Sequence, residues 1–387
     1  MQFKTFPTSY QAILDVIDAV DPVAYSRYRN HVDGPVTYLS PYISRGVIST
    51  KQVLNALLEK GYTLKQSGKL IQEMAWREYF QRVWQSLEDD IFRDIRSRYT
   101  GIRHAQVPKA VLDASTGIEA IDQGIQDLYQ FGYMHNHLRM YTASITCVTA
   151  KAHWLNPSKW MYYHLLDGDL ASNSCSWQWV AGSFSSKQYY CNQENINKYC
   201  GTNQKNTFLD KEYHELPLLE TPAVLTEAGT FNPVTILPAT QAPQLNHELP
   251  LLLYNSYNLD PNWRKDIKAN RILLLEPSHF REYPVSEKVI RFIIALAENI
   301  EGIQVFTGEL ADLPELQKFP AVYSKEHPAF PHYPGIKDER DWLFPGIQGV
   351  HSSFFSYWKK SERELFRLYG ESPFPRPAKI KRQHAYL

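Results

Sequence analysis

The chain reads as a mainly α protein with a helical domain over residues 1–200 and a small C-terminal α/β domain of Rossmann-like type. Three observations predict this. Residues 57–87 carry apolar side chains at helical spacing after a Gly61-Tyr62-Thr63 turn, and strand-like alternation is scarce before residue 200. Residues 229–246 are rich in Pro, Thr and Gln and have little periodicity. Beyond them, short apolar runs at 251–257, 271–277, 303–308 and 321–326 alternate with a helical stretch at 286–300 that opens on Ser286. Such alternation argues for a small parallel sheet. The expected organisation is a helical domain at 1–200, an extended linker at 201–245, an α/β domain at 246–334, and a C-terminal extension with a basic tail at 335–387.

Each element follows from local signals. Gly34-Pro35, Gly101, Pro108, Gly117 and Asn156-Pro157 punctuate the helices of the first half. Ser40 suits an N-cap, and Pro41 suits the first helical position, where its missing N–H is not needed. Free amides at such an end attract a phosphate, and Thr37 adds a hydroxyl just upstream. The α/β segment lacks the G-x-G-x-x-G dinucleotide fingerprint.

Composition narrows the function. The 387 residues suffice for about two or three domains with substantial cores. Formal net charge is zero, which excludes a strong whole-chain attraction to nucleic acid and leaves a local basic groove open. The stretch Arg376 to Arg382 is basic and reads as a tail. Cys147, Cys175, Cys191 and Cys200 form no CxxC pair, which argues against a zinc or iron–sulfur site and for reduced thiols in a cytoplasmic setting. The first residues have no apolar signal core, and no run approaches a membrane span.

The chemistry concentrates between Gly132 and Gly182. Asn136, Arg139, Met140 and Ala143 fall on one helical face. A loop then delivers Asp167 and Asp169, and Asn173 and Trp177 follow at steps of four. Trp154, Trp177 and Trp179 lie among these polar groups. Carboxylates, an amide and an arginine aimed at one place suit a planar ligand with a polar edge; the indoles suit stacking or electron transfer. Upstream, Glu73, Trp76, Arg77 and Phe80 share a helix face, where burial of Glu and Arg requires either that they pair or that they meet a polar ligand. Asp167 and Asp169 alone are weak evidence for a metal. His135 and His137, two apart, point to different faces and do not suit joint metal ligation.

Met134-His135-Asn136 followed by Arg139-Met140, then Trp154, then Asp167-Gly168-Asp169, Asn173 and Trp177-Gln178-Trp179 resembles the flavin domain of the photolyase/cryptochrome family. Glu73-Met74-Ala75-Trp76-Arg77-Glu78 and Leu39-Ser40-Pro41-Tyr42 extend the resemblance to roughly residues 20–200. It implies FAD as cofactor. Tyr25, Thr37, Leu39 and Ser40 would lie around the dinucleotide, with Val36 where relatives often have Thr. Arg77 would contact flavin, Arg139 would pair with Asp167 beside the ring, Asp167 and Asp169 would flank its polar edge, and Asn173 would face N5. Glu73, Trp76, Asn136, Met140 and Trp179 would line a site for a flipped pyrimidine dimer, with Asn136 also within reach of flavin. Trp177 and Trp154 match the inner and middle members of a tryptophan relay; the distal member has no Trp counterpart, and Tyr99 is the candidate substitute. Relatives acting on the (6-4) lesion carry His where this chain has Asn136 and Met140.

The activity implied is light-driven splitting of cyclobutane pyrimidine dimers in UV-damaged DNA by electron transfer from excited reduced FAD. The alternatives are a cryptochrome-like blue-light receptor that signals through a protein partner, and a flavoprotein with dark redox chemistry only. The α/β segment resembles the family's antenna domain moved to the C-terminus; whether it binds a chromophore is open.

Overall fold

The computed structural model describes residues 5–96 and 101–370. Tyr99 and the basic tail therefore lie outside the described residues. The first half is helical. Helix α1 (Pro22–Tyr28) starts on Asp21, whose carboxylate accepts from the amides of Val23 and Ala24. Helix α2 is the short Ser40–Ser44 turn. Helix α3 (Leu64–Leu87) is the longest and opens on a Thr63/Gln66 capping box. Helix α4 (Asn136–Ala143) runs on into a π-helical segment, Ser144–Thr149. Helix α5 (Leu155–His164) leads into the 165–169 loop, and Asp169 caps helix α6 (Leu170–Ala181), which ends on left-handed Gly182.

One expectation shifts by a residue. Leu39, not Ser40, occupies the N-cap of α2, with no side-chain cap, and Pro41 sits inside the first turn. The cause is Tyr38, whose left-handed backbone (φ 53°) turns the chain one residue earlier.

The second half contains a five-stranded, all-parallel sheet. Strands β1 (Leu251–Tyr254), β2 (Asn270–Leu275), β3 (Ile303–Thr307), β4 (Val322–Lys325) and β5 (Ile336–Asp338) run in the order β3-β2-β1-β4-β5. Leu251 pairs with Asn270 on one side and Val322 on the other, so β1 is central and its side chains are buried on both faces. Helix α7 (Glu287–Ala297) links β2 to β3. Strand β5 lies past residue 334, so the sheet runs further than the expected α/β segment. Residues 201–245 are largely irregular and lie along the surface of both halves. Thr221 there donates to the Thr149 carbonyl, and Thr235 to that of Val285.

The two halves share one core. Leu54, Ile71 and Tyr79 of the helical half belong to the same buried cluster as Leu252, Leu273 and Ile293. Arg45, fully buried, donates to the carbonyls of Leu166 (3.0 Å) and Ser256 (3.4 Å) and so ties the 165–169 loop to the end of β1. Gly46 is required beside it: its φ is +65°, and a Cβ would lie 2.3 Å from the Tyr257 carbonyl oxygen. The chain after β5 then returns to α3. Buried Glu78 accepts from the amides of Leu343 (2.7 Å) and Phe344 (3.0 Å) and from the Tyr357 hydroxyl (2.8 Å). Tyr357 belongs to helix α8 (Phe354–Tyr369). Arg82, one turn along α3, stacks over the Trp342 ring at 3.5 Å.

Glu78→Ala leaves three buried donors without an acceptor, and about 3 kcal/mol of stability should be lost. Urea unfolding checks this; a loss below about 1 kcal/mol would show that the return segment is not anchored there.

Candidate functional site

A cavity of about 540 Å³ opens between α1, α2, α3, α4 and α6. Tyr25, Thr37, Leu39, Ser40, Glu73, Trp76, Arg77, Asn136, Arg139, Met140, Asp167, Asp169, Asn173, Trp177 and Trp179 all line it. These are the residues expected from the sequence, with one exception. Trp154 does not reach the cavity; it lies fully buried behind it, in the same apolar cluster as Trp177.

Its polar wall is built on Asp169. This carboxylate caps α6 by accepting the Ser172 amide (2.7 Å), and it also accepts from Arg77 Nη2 (3.1 Å) and Gln81 Nε2 (2.5 Å). Burial alone would raise its pKa, but Arg77, Ser172 and Gln81 together hold it below the usual carboxylate range. Arg77 Nη1 donates to Ser44 Oγ, which in turn donates to the Asp167 carbonyl. Arg139 grips both oxygens of Asp167 at 3.0 and 2.8 Å, and its Nε donates to the Met134 carbonyl. Each arginine thus meets a different aspartate. Asn173, one turn into α6, donates to the Ser158 carbonyl at 2.9 Å, which fixes its amide at the cavity wall.

Glu73 does not pair with Arg77. Its partner is Arg29 of the segment after α1, at 3.5 Å. The Glu73 side chain lines the cavity and is 39 % exposed; desolvation there pushes its pKa up, against the pull of Arg29. A proton held more tightly than usual suits a carboxyl that must donate to a polar ligand edge. His135 caps α4 by accepting the His137 amide. His135 and Ser172 both line the cavity. Asn136 is exposed at the start of α4, and its amide approaches Met140 Sδ at 3.9 Å.

The aromatic wall departs from expectation at one point. Trp76 stacks face to face on Phe354 of α8, with ring centroids 3.6 Å apart and planes 9° apart. One face of the indole is therefore already covered from within the chain. Trp179 is open, 37 % exposed, and tilts against Tyr189.

Residues not singled out beforehand complete the site. Gln81 and Arg29 lie four residues after Arg77 and Tyr25, on the same helical faces, so their spacing carried the signal. Phe354 lies hundreds of positions from Trp76, and nothing in local sequence connects them.

The donor set fits a flavin dinucleotide. The cavity is within the roughly 300–1,000 Å³ of small-molecule sites, is lined by the three cations Arg29, Arg77 and Arg139 and by hydroxyl and amide side chains, and carries apolar and aromatic surface between them. The comparisons with known proteins agree. Residues 70–220 match the family model for the FAD binding domain of DNA photolyase. The chain is 31 % identical over 146 residues to a deoxyribodipyrimidine photo-lyase of Streptomyces griseus, covering 38 % of this chain and 32 % of that one. It is 30 % identical over 179 residues to one of Agrobacterium fabrum, covering 44 % and 37 %. The chain thus spans about a third of the length of these relatives. A cryptochrome of Synechocystis aligns at TM-score 0.46 and 21 % identity over 50 % of this chain and 44 % of that one. A bacterial class III photolyase of Agrobacterium tumefaciens aligns at TM-score 0.42 and 27 % identity over 50 % and 43 %.

Fold and cavity therefore define a helical flavin-binding protein. More narrowly, residues 70–220 are similar to the FAD binding domain of DNA photolyase, and the cofactor this points to is FAD. Among the described residues no helix is long and apolar enough to cross a membrane.

His135 and His137 sit beside this site with pKa values lowered from 6.5 to about 4, chiefly by burial; His137 with Arg139 adds to the shift at His135, and Arg29 with His31 at His137. The unfolded chain binds protons that the folded one refuses between these values. Their share of stability is therefore whole above pH 6.5 and is lost as pH falls through about 4. Urea midpoints should drop across that window, and His137→Phe should make the drop shallower; an unchanged slope would contradict the assignment.

Proposed function

We propose that this chain splits cyclobutane pyrimidine dimers in UV-damaged DNA under light. One observation carries the reading: the lesion-facing set and the flavin-facing set line a single cavity. Bound FAD supplies a light-absorbing one-electron donor. Arg77 and Arg139, each locked by its own aspartate, hold the cofactor without leaving a free charge near the substrate. Glu73, with its raised pKa, hydrogen-bonds a base carbonyl and steadies charge that develops there. Trp179 and Met140 give an extruded base an apolar surface, and Asn136 reaches its edge. Trp177, at the cavity wall, and Trp154 behind it form an electron relay toward the flavin.

The second reading is a blue-light receptor acting through a protein partner. The Phe354 ring on Trp76 supports it, because it fills a surface a dimer would otherwise use. We read the parallel sheet as an antenna-like domain placed after the flavin domain; its all-parallel order supports this.

The test is blue light on reduced, FAD-loaded protein with a dimer-containing oligonucleotide, beside a dark control. Light-dependent loss of dimers is expected, and Trp179→Ala should weaken dimer–DNA binding by about 1–3 kcal/mol. Phe354→Ala should tighten binding if α8 competes with the lesion. FAD binding without repair, unchanged by Phe354→Ala, would move the assignment to the receptor.

A further inference from the structure

The buried relay indole Trp154 has a carboxylate as the partner of its N–H. Trp154 is fully buried, and its Nε1–H donates to Asp94 Oδ1 at 2.8 Å. The same carboxylate oxygen lies 3.5 Å from His153 Nε2, and the His153 ring packs against the Trp154 ring with centroids 5.6 Å apart. The Asp94 and His153 side chains are 14 % and 24 % exposed, so together they join a sealed indole N–H to solvent.

A tryptophan that only fills a core needs some acceptor for its N–H. A neutral one suffices, as the Tyr129 hydroxyl does for Trp160 at 3.0 Å. A half-buried carboxylate is a costlier partner, because its charge loses hydration. What it adds is specific to an oxidised indole. At 2.8 Å a negative charge strongly favours a positive ring, and it is a ready base for the N–H proton of an indole radical cation, which is far more acidic than neutral indole.

We propose that Asp94 is the proton acceptor for Trp154, so that oxidation of this indole is coupled to proton transfer. The inference rests on the flavoprotein reading and on the relay. The oxidant is photoexcited oxidised flavin. Trp177 gives it one electron, and one electron from Trp154 refills Trp177. As Trp154 is oxidised its Nε1–H bond breaks and an O–H bond forms on Asp94. The balance is one electron gained by flavin, one proton gained by the carboxylate, and a neutral indolyl radical at Trp154. His153 then takes the proton from Asp94 and passes it to water. With its proton gone, Trp154 cannot be reduced again by a returning electron alone, which holds the charge apart.

The test compares wild type, Asp94→Asn and Asp94→Glu by transient absorption after a blue flash on protein loaded with oxidised FAD. Wild type should show the neutral indolyl signature, formed more slowly in D2O. Asp94→Asn should hold the radical-cation signature instead and recombine on the order of tenfold faster, the change that 1.36 kcal/mol of barrier produces. Asp94→Glu should restore the neutral radical. In flavin-free protein, the Trp154 indole N–H resonance should move upfield in Asp94→Asn, showing that the hydrogen bond itself has weakened. Equal protonation state and lifetime in wild type and Asp94→Asn would overturn the role of Asp94. No tryptophan oxidation in wild type would overturn the relay as well. Should Asp94→Asn fail to fold, the D2O comparison on wild type decides, and absence of an isotope effect counts against the proposal.

Discussion

The Asp169 carboxylate is the point on which the site depends. It starts α6 by capping it, and α6 carries Asn173, Trp177 and Trp179. It aims Arg77 into the cavity and holds Gln81, both from α3. Gln81 in turn accepts from Arg340, beyond the sheet. One buried anion therefore sets the distance between the two helices that form opposite walls of the cavity. A buried carboxylate is tolerated only when its lone pairs are filled by donors, and here the protein supplies a cation, an amide side chain and a backbone N–H.

A second buried anion, Glu78, plays the corresponding part at the seam with the C-terminal half. It lies next to Arg77 in sequence, about 100° further round α3, where it collects the return segment. The long helix thus presents a flavin-facing side and a C-terminal-facing side. This is why the C-terminal half bears on the site although its sheet contributes no residue to the cavity: α8 comes with the anchored segment and lays Phe354 on Trp76.

Charge is arranged locally in a chain whose net charge is zero. Arg77 and Arg139 are neutralised by Asp169 and Asp167, and His135 and His137 are held neutral by burial. The cavity consequently offers hydrogen-bonding groups in fixed positions with little net field. Such a site favours a ligand of defined shape and polar edge over a merely anionic one.

By itself the sequence determined the helical character of the first half, four of the five strands of the parallel sheet and many of the polar and aromatic residues of the cavity. The physical reason is that these signals are local. Helical spacing puts Glu73, Trp76 and Arg77 on one face, apolar runs bury strands on both sides, and a motif keeps Asn173 and Trp177 one turn apart. Even Gln81 and Arg29 were within reach of the same spacing argument. Only the tertiary structure decided the pairings. Whether Arg77 meets Glu73 or Asp169 depends on how α3 approaches the 165–169 loop, and both partners satisfy the same electrostatic need. The left-handed turn at Tyr38 moved a helix start by one residue, against the preference of Ser40. Strand β5 is short and mostly exposed, so its pattern is too weak to stand out. The Phe354 stack, the Glu78 anchor and the Asp94 carboxylate beneath Trp154 join positions far apart in the chain. Such contacts are chosen by the shape of the shared core, which no local pattern encodes.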